Sequence, residues 1–335
     1  MKAPDFWWDA RPGLAARVLA PLGWLYGAVT LKRMARKGAR VGVPVLCVGN
    51  FTAGGAGKTP TAIALAKALA ARGETPVFLT RGYGGTVRAP TLVAPAVHGP
   101  AEVGDEPLLL AQAAPTVVCP DRLAGARFAA PLGTVIIMDD GLQNPSLAKD
   151  FTLAVVDGGV GLGNGLCLPA GPLRAPAGAQ ASHVDAILTI GMGNGITQAV
   201  ALGAGAAKPT YRSDFSTDAA VAERIAGQRV LAFAGIGRPQ KFFETLLGLY
   251  ARLDSVHPFA DHHAYSEAEA QSLLAMAEER KLLIVTTEKD LVRLKGGPAR
   301  EALAKAAMAL PIVLPLPDDI VDLAMGAIRR FRAAA

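Results

Sequence analysis

The sequence predicts an α/β protein in which a doubly wound, mainly parallel sheet is followed by a second, smaller C-terminal α/β lobe. Short apolar runs typical of buried strands alternate with helical or loop segments, which is the pattern of such a sheet. One of these runs leads through a glycine-rich loop directly into a helix. A length of 335 residues is enough for two domains. The strands of the first domain are predicted at 43–48, 76–80, 116–119, 134–138, 152–156 and 185–190.

Three regions are predicted along the chain. Residues 1–40 form a basic and aromatic N-terminal segment, 41–215 form the core with the sheet, and 216–335 form the second lobe. A new strand begins at Arg229, and the stretch 192–228, whose periodicity is weak, is predicted to be a linker. In the second lobe we expect helices near 239–249 and 266–281, strands near 255–259 and 282–286, and a final helix from Asp318.

The positive charge of the chain is concentrated at its N-terminus. The whole sequence has a formal net charge of +6, and residues 1–40 contain eight basic and two acidic side chains. The remaining residues are therefore balanced, which argues against a nucleic-acid partner. The eight basic residues are Lys2, Arg11, Arg17, Lys32, Arg33, Arg36, Lys37 and Arg40.

The N-terminal segment also carries tryptophans and an apolar run. The run from Val18 to Leu31 has 14 residues and contains Pro21, whereas a membrane-spanning helix requires roughly 20 apolar residues. Tryptophans such as Trp7 and Trp8 favour the bilayer interface, and Lys and Arg attract anionic head groups. The segment is therefore predicted to contact a membrane surface as a peripheral anchor. The alternative is a helix packed on the protein's own core.

A phosphate-binding loop follows the first predicted strand. Residues 49–59 read GNFTAGGAGKT and lead into an Ala/Leu-rich helix, which is the context of a P-loop NTPase. The glycines let backbone N–H groups approach phosphate oxygens. Lys58 would reach the β- and γ-phosphates, and the Thr59 hydroxyl would hold Mg²⁺. Thr52 stands where the usual pattern has its first glycine. The predicted nucleotide-binding residues are Thr52, Gly54, Gly55, Ala56, Gly57, Lys58 and Thr59.

An acidic pair ends another predicted strand. The apolar run 134–138 is followed by Asp139 and Asp140, and a carboxylate at such a strand end supports Mg²⁺ in P-loop enzymes. Adjacent side chains of an extended backbone point in opposite directions. We therefore expect one aspartate to face the metal and the other the substrate, and assign Asp139 to the metal and Asp140 to catalysis. The alternative is an ordinary double-Asp turn.

Further motifs follow the P-loop in one order along the chain. They begin at Gly49, Arg81, Val103, Pro120, Asp139, Gly163, Leu168, Ala234, Asp261 and Thr287, and read GNxTxGGxGKTP, RGYGG, VGDEP, PDR, DDGLQ, GNG, LPAGPLR, AGIG, DHH and TEKD. In this order the sequence resembles the tetraacyldisaccharide 4′-kinase family, the lipid A 4′-kinases of Gram-negative envelope biosynthesis. The resemblance covers about residues 41–295, and it is specific because GDEP and DDGxQ are not general NTPase motifs.

The resemblance implies an activity and a location. The family transfers the γ-phosphate of ATP, with Mg²⁺, to the 4′-hydroxyl of a tetraacylated disaccharide 1-phosphate at the cytoplasmic face of the inner membrane. It also implies two lobes with the active site in the cleft between them. Neither a nucleic acid nor an obligate protein partner is implied.

Residue roles follow by matching positions to the family motifs. Asp105 of the GDEP motif is expected to be the general base, and His262 its partner from the second lobe, because an imidazole can orient a carboxylate. The alternatives are an acidic helix N-terminus for Asp105 and a structural role for His262 or His263. Of the TEKD motif, we expect the acidic residues to cap a helix rather than to support the cleft.

Four residues are expected to face the substrate or its phosphates, with loop anchoring as the alternative for each. Arginine forks suit the 1-phosphate. The family commonly has a glutamate after the arginine of its LPAGPLR motif, whereas this sequence has Ala175. Any carboxylate needed there must come from elsewhere in the chain, and Asp139 and Asp140 are the candidates. The four residues are Tyr83, Arg122, Gln143 and Arg174.

A second function is compatible with the same motifs. A membrane-associated regulatory P-loop NTPase would hydrolyse nucleotide to switch a partner instead of phosphorylating a lipid. A GTPase of this kind would require an Asn-Lys-x-Asp motif, and none of the four asparagines precedes a lysine. The two functions differ in whether nucleotide turnover requires an acceptor hydroxyl.

Overall fold

The computed structural model describes residues 3–334, which form two sheets with helices packed against them. Lys2, one of the N-terminal basic residues, lies outside the described residues. The strands are β1 Val45–Asn50, β2 Pro76–Thr80, β3 Thr91–Leu92, β4 Thr116–Val118, β5 Val135–Asp139, β6 Phe151–Asp157, β7 Ala186–Ile190, β8 Thr210–Ser213, β9 Arg229–Ala234, β10 Arg252–Pro258, β11 Leu283–Thr287 and β12 Met308–Leu310. The helices are α1 Leu14–Met34, α2 Lys58–Ala70, α3 Pro100–Val103, α4 Asp105–Leu110, α5 Arg122–Ala129, α6 Ala177–Ala181, α7 Gly195–Ala206, α8 Ala219–Ile225, α9 Pro239–Gly248, α10 Glu267–Arg280, α11 Glu288–Arg293, α12 Pro298–Ala306 and α13 Asp318–Ala334.

The larger sheet has eight strands in the order β3-β4-β2-β5-β1-β6-β7-β8. Only β3 is antiparallel to its neighbour. Every residue of β1 is buried, because an apolar strand at the centre of a parallel sheet is covered on both faces. Its neighbours are β5 and β6, and Val48 of β1 pairs with Asp139 of β5. The predicted doubly wound sheet is confirmed, and the register places the acidic pair beside the phosphate-binding loop.

The last helix belongs to the larger sheet, not to the second lobe. Apolar residues of α13 such as Ile320 and Ala324 are buried in the same cluster as Leu46 of β1 and Leu65 of α2. The assignment of all of 216–335 to the second lobe is therefore wrong for α13. An amphipathic helix at the chain end can cover any exposed apolar face within reach, and this one returns to the first domain.

The second lobe is built on a smaller, fully parallel sheet of order β10-β9-β11-β12. Its predicted strands and helices are present, with β10 beginning three residues earlier than expected. The helix α12 and the strand β12 were not predicted. A buried aromatic group of this lobe, Phe233 and Tyr265, packs with ring centroids 5.4 Å apart.

The stretch 192–228 is not a linker. It contains α7, β8 and α8, and β8 pairs with β7 as the edge strand of the larger sheet. The sequence of α7 is rich in glycine and alanine, so its helical periodicity is weak. The sheet therefore ends later in the chain than the predicted strands indicated.

The N-terminal segment forms a 21-residue helix, α1, which is longer than its 14-residue apolar run. One face is buried and includes the small residues Ala16, Gly23 and Gly27. A Cβ at Gly23 would meet the Cys167 carbonyl oxygen at 2.6 Å, so small residues are required for this close packing. Large apolar side chains such as Trp24 occupy the exposed face. Both alternatives, core packing and an exposed apolar surface, are thus present on one helix.

By its length and composition, α1 is also the one helix among residues 3–334 that could cross a membrane. Helices of soluble proteins and signal sequences can have the same properties, so this finding alone does not assign a spanning topology.

Candidate active site

The phosphate-binding loop lies at the carboxyl end of β1 and leads into α2. Gly57 precedes the helix with a φ of 91°, a left-handed conformation that glycine adopts without steric cost. Lys58 extends its Nζ back over the loop, 3.4 Å from the Gly54 carbonyl oxygen. Free backbone N–H groups at a helix N-terminus bind anions. The loop therefore has the geometry for the phosphates of a nucleotide.

Two non-glycine residues of the loop, Thr52 and Ala56, are buried. Thr52 is buried and forms an isolated β-bridge with Leu173. Ala56 is buried against the core, whereas a Cβ at Gly55 would meet no atom within 4 Å. The loop is consequently fixed to the segment that carries Arg174, and its glycine-rich turn remains open to a ligand.

The side chains of Thr59 and Asp139 meet at the start of the helix that follows the loop. The Thr59 hydroxyl donates to Asp139 Oδ2 at 3.1 Å, and Asp139 Oδ1 is buried without a hydrogen-bond partner. Burial, together with the charge of Glu106, raises the pKa of Asp139 to about 7. An unpartnered carboxylate oxygen beside a threonine hydroxyl fits Mg²⁺, which prefers oxygen ligands. Proteins usually supply only one or two of these ligands, and water and substrate phosphates supply the others. Among residues 3–334 there is no group of three His, Cys, Asp or Glu arranged as a closed metal site.

Asp140 faces away from this pair, toward positive charges. Arg174 donates from Nη1 and Nη2 to the two carboxylate oxygens of Asp140, at 2.9 and 3.1 Å. Lys58 Nζ lies 3.8 Å from Asp140 Oδ1. Burial opposes ionisation of Asp140, but the charges of Lys58 and Arg174 outweigh it and hold its pKa below the ordinary value. The two aspartates have different partners. The strand β5 ends at Asp139 and Asp140 has a left-handed φ of 54°, so a turn of the backbone, not the alternation of an extended strand, separates the two side chains.

Two glutamines hold Arg174 in place. Gln143 Oε1 accepts from Arg174 Nη1 at 3.1 Å, and Gln143 Nε2 donates to Gln180 Oε1 at 2.7 Å. Gln180 is fully buried, and its Nε2 donates to the Phe51 and Ala175 carbonyl oxygens at 3.2 and 2.5 Å. Gln143 therefore positions Arg174 in this conformation, and Gln180 extends the network to the phosphate-binding loop. The Ala175 side chain is buried, and its position supplies no carboxylate to the site.

Across the cleft, Asp105 and His262 are in contact although they belong to different lobes. His262 Nδ1 donates to Asp105 Oδ2 at 2.7 Å. Burial would raise the pKa of Asp105, but His262 and Arg293 hold it below its ordinary value. The hydrogen bond to Asp105 raises the pKa of His262. His263 instead contacts Glu269 at 3.0 Å, which is the structural role considered for one histidine of this pair.

Two further predicted residues differ in their exposure. Tyr83 is 76% exposed, and its ring centroid is 6.3 Å from that of His262, so it lies at the cleft. Arg122 is buried and donates from Nη1 to the Cys119 carbonyl oxygen at 2.8 Å. Burial lowers the pKa of Arg122, and Asp140 opposes this effect. The geometry of Arg122 favours the loop-anchoring alternative in this conformation.

Sequence reasoning missed two buried residues of this region, Gln180 and Arg293. Arg293 donates from Nε to Asp105 Oδ2 at 2.7 Å. It ends the helix that begins in the TEKD motif. The cap of this helix is the Thr287 hydroxyl, which accepts from the Asp290 backbone N–H at 3.1 Å, so the expectation that the acidic residues cap the helix is wrong. Asp290 instead accepts from Arg293 Nη1 at 2.8 Å. The spacing of Asp290 and Arg293 was the available signal, since residues three apart share a helix face.

The fold and these contacts define a class of protein, an α/β phosphotransferase with a P-loop, whose second lobe brings His262 into contact with Asp105 of the first. The sequence profile of the tetraacyldisaccharide-1-P 4′-kinase family matches residues 15–326, and the chain belongs to this family.

Relatives of known name agree with this membership. The tetraacyldisaccharide 4′-kinase of Methylobacterium sp. (strain 4-46) is 56% identical over 321 residues, 95% of each chain. That of Bradyrhizobium sp. (strain ORS 278) is 47% identical over 336 residues, covering 100% of this chain and 99% of the relative. A crystal structure of LpxK from Aquifex aeolicus in complex with ATP superimposes with a TM-score of 0.72 at 23% identity, covering 94% of this chain and 100% of that one. This structural likeness supports the fold.

Proposed function

We propose that this chain transfers the γ-phosphate of ATP to the 4′-hydroxyl of a tetraacyldisaccharide 1-phosphate, forming the 1,4′-bisphosphate in lipid A biosynthesis. Family membership carries the reaction and the substrate. One observation supports a single site: α4, which begins at Asp105, packs against α2, which begins at Lys58. This packing supports a site that the acid–base pair and the phosphate-binding loop share.

The proposed roles follow from the contacts. Lys58 and the loop N–H groups bind the ATP phosphates, and Thr59 and Asp139 would hold Mg²⁺, which neutralises phosphate charge when bound. The oxygen of the 4′-hydroxyl attacks the γ-phosphorus, and Asp105 takes the proton of that hydroxyl. The bond between the γ-phosphorus and the bridging oxygen of ADP breaks in the same step. His262 orients the Asp105 carboxylate, and both would act as one unit.

Positive and aromatic side chains would bind the rest of the substrate. Arg174 and Lys58 flank Asp140. Two cations in this arrangement suit a phosphate group, either the γ-phosphate that is transferred or the 1-phosphate of the substrate. We assign Asp140 the role of holding these two cations in position. Tyr83 is exposed beside His262 and suits contact with the sugar, whereas Arg122 contributes positive potential from its buried position.

The exposed face of α1 is proposed to bind the cytoplasmic surface of the bacterial inner membrane peripherally. Leu14, Val18 and Trp24 are 80%, 70% and 74% exposed, and the basic residues after Leu31 would lie at the level of anionic head groups. Each such Lys or Arg contributes about 1 kcal/mol near an anionic surface. A helix of this kind would bring the cleft to a lipid substrate.

The activity is tested by transfer of label from γ-labelled ATP to a tetraacyldisaccharide 1-phosphate in detergent micelles, with wild type and Lys58→Ala. We expect labelled bisphosphorylated lipid from the wild type alone. ATP hydrolysis by the wild type without labelled lipid would favour the regulatory NTPase instead.

Membrane contact is tested by changing the exposed face of α1 without disturbing its packed face. Trp24→Ser with Leu25→Ser should reduce sedimentation with vesicles that contain an anionic phospholipid. Tyr250→Ser is the matched control, because Tyr250 is 81% exposed but lies in the second lobe. Equal sedimentation of all three proteins would contradict the anchor. Deleting residues 1–40 is less informative, since it also removes the contact between Gly23 and Cys167.

A further inference from the structure

Arg293 of the second lobe reaches into the cleft and contacts the proposed base of the first lobe. Its side chain is 3% exposed. Nε and Nη2 lie 2.7 and 2.5 Å from the same oxygen, Asp105 Oδ2. Nothing in the family motifs assigns a role to this residue.

The guanidinium is held firmly on its own lobe. Arg293 Nη1 donates to Asp290 Oδ1 at 2.8 Å and to the Gly235 carbonyl oxygen at 2.6 Å. Asp290 is fully buried and also accepts from the Tyr265 hydroxyl at 2.8 Å and the Thr287 hydroxyl at 2.6 Å. With this many partners the arginine has a fixed direction before it meets Asp105, which is what a positioning group requires.

The contacts divide the two oxygens of the Asp105 carboxylate. Oδ2 receives His262 Nδ1 as well as the two nitrogens of Arg293. Within the described residues 3–334, no side-chain donor is bonded to Oδ1. One oxygen is thus fully used for orientation, and the other is available to accept a proton.

We propose that Arg293 is a positioning residue that fixes Oδ2 of Asp105, directs Oδ1 to the acceptor hydroxyl, and so makes the base competent only when the two lobes are docked. This inference rests on the proposed role of Asp105 as the general base. Arg293 itself does not touch the substrate; it acts through Asp105.

The charge of Arg293 gives the proposal a measurable signature. The groups that face Asp105 are His262 and Arg293, and those that face His262 are Asp105, Asp261 and Arg293. Arg293 remains protonated at all working pH values. Removing its charge therefore raises the pKa of Asp105 and moves the acid limb of the kcat/KM profile to higher pH.

The test compares Arg293→Gln and Arg293→Lys with the wild type in lipid phosphorylation. The Gln variant should lose about 10²-fold in kcat, as expected for a misplaced base, with the KM for ATP unchanged and the acid limb shifted upward. The Lys variant keeps the charge but not the fork, so its kcat should fall while its acid limb stays in place. Arg229→Lys is the matched control, because Arg229 also donates from Nε and Nη2 to a single oxygen, Asp254 Oδ2, at 3.0 and 2.7 Å.

A folded Gln variant with the wild-type kcat, or a loss of kcat without a shifted limb, overturns the proposal. If the Gln variant does not fold, a folded Lys variant with the wild-type kcat also overturns it. Asp105→Asn, assayed alongside, distinguishes failure of the proposed base from failure of the proposed role of Arg293. Full activity of Asp105→Asn would remove the base itself, whereas an inactive Asp105→Asn with normal Arg293 variants would remove only the present inference.

Discussion

The two sides of the cleft are built in different ways. The phosphate-binding side comes from one lobe, where β1 and β5 are hydrogen-bonded neighbours and bring Thr59 within 3.1 Å of Asp139. The acid–base side joins Asp105 and His262, which are 157 positions apart and belong to different lobes. The first side is fixed by sheet register. The second is held by side-chain ion pairs and by apolar packing between the lobes, where Val292 is buried beside Leu108.

Under the proposed roles, this difference would separate nucleotide binding from acceptor activation. The proposed acid–base pair joins residues of two lobes and would exist only while the lobes are docked. The enzyme would then bind ATP without activating the acceptor when the lobes separate. The next four tests, which concern Asp139, Gln180, His262 and Arg72, run from the largest expected effect to the smallest.

Asp139→Asn should most strongly disrupt the phosphate-binding side. Loss of the carboxylate should lower kcat by about 10²- to 10³-fold, as for removal of one key electrostatic group, and should raise the Mg²⁺ concentration needed for half-maximal activity. Steady-state assays across a Mg²⁺ series measure both. Asp214→Asn, a half-exposed carboxylate just after β8, is the control. An unchanged Mg²⁺ requirement in Asp139→Asn would exclude Asp139 as a ligand.

Gln180→Met tests whether the buried amide supports Arg174 from a distance. The substitution removes two donated hydrogen bonds and the acceptor of Gln143, so we expect kcat to fall about tenfold and stability by about 1–3 kcal/mol. ATP affinity should remain. Gln112→Met is an exposed control. A Gln180→Met protein that is destabilised but has the wild-type kcat would limit this network to a structural role.

The contact between the lobes should depend on pH in a defined direction. The pKa of His262 is raised above 6.5 by its hydrogen bond to Asp105, so its stabilising charge is present below 6.5 and is lost as the pH rises through the raised pKa. The pKa of Asp105 is lowered from 3.8, so its contribution is lost only in acid.

The melting temperature of wild type minus that of His262→Gln should therefore decrease as the pH is raised from neutral into the alkaline range. Both proteins contain the other histidines, so the effects of those histidines on the melting temperature cancel in this difference. A difference that stays constant with pH would show that His262 adds no charge to the contact.

The smallest effect is expected at the surface pairs of α13. Arg72 contacts Asp318 and Asp322 at 3.1 and 2.6 Å, but these aspartates are 91% and 68% exposed. Arg72→Ala should change the free energy of unfolding by about 0–1 kcal/mol, because solvent screens exposed pairs. Urea denaturation measures this change, and a larger loss would mean that the pairs, rather than the buried face of α13, attach this helix.

The same contrast explains what could be predicted from sequence. The phosphate-binding loop and Asp139 lie within short motifs whose spacing fixes their geometry, so the central sheet and this half of the site were predicted. The helix α7 was not, because its glycine and alanine residues give no clear apolar face. The docking of α13 was also missed, since amphipathicity reveals a buried face but not which domain covers it.

The acid–base side was predicted only through the family resemblance. No local pattern links Asp105 to His262 or to Arg293, whose role arises from contacts across the cleft. The N-terminal segment lies between these cases. Its apolar run predicted an interfacial anchor, but the packing of its small residues against Cys167 could be seen only in the structure.

The most direct test of the account is phosphate transfer by Asp105→Asn, measured together with its affinity for ATP. Because the proposed role of Asp105 is to activate the acceptor and not to bind the nucleotide, kcat for lipid phosphorylation should fall by about 10²- to 10⁴-fold, while the dissociation constant for ATP stays at the wild-type value. Full lipid phosphorylation, or a matching loss of ATP binding, would contradict the division of the cleft into a nucleotide side and an acceptor side.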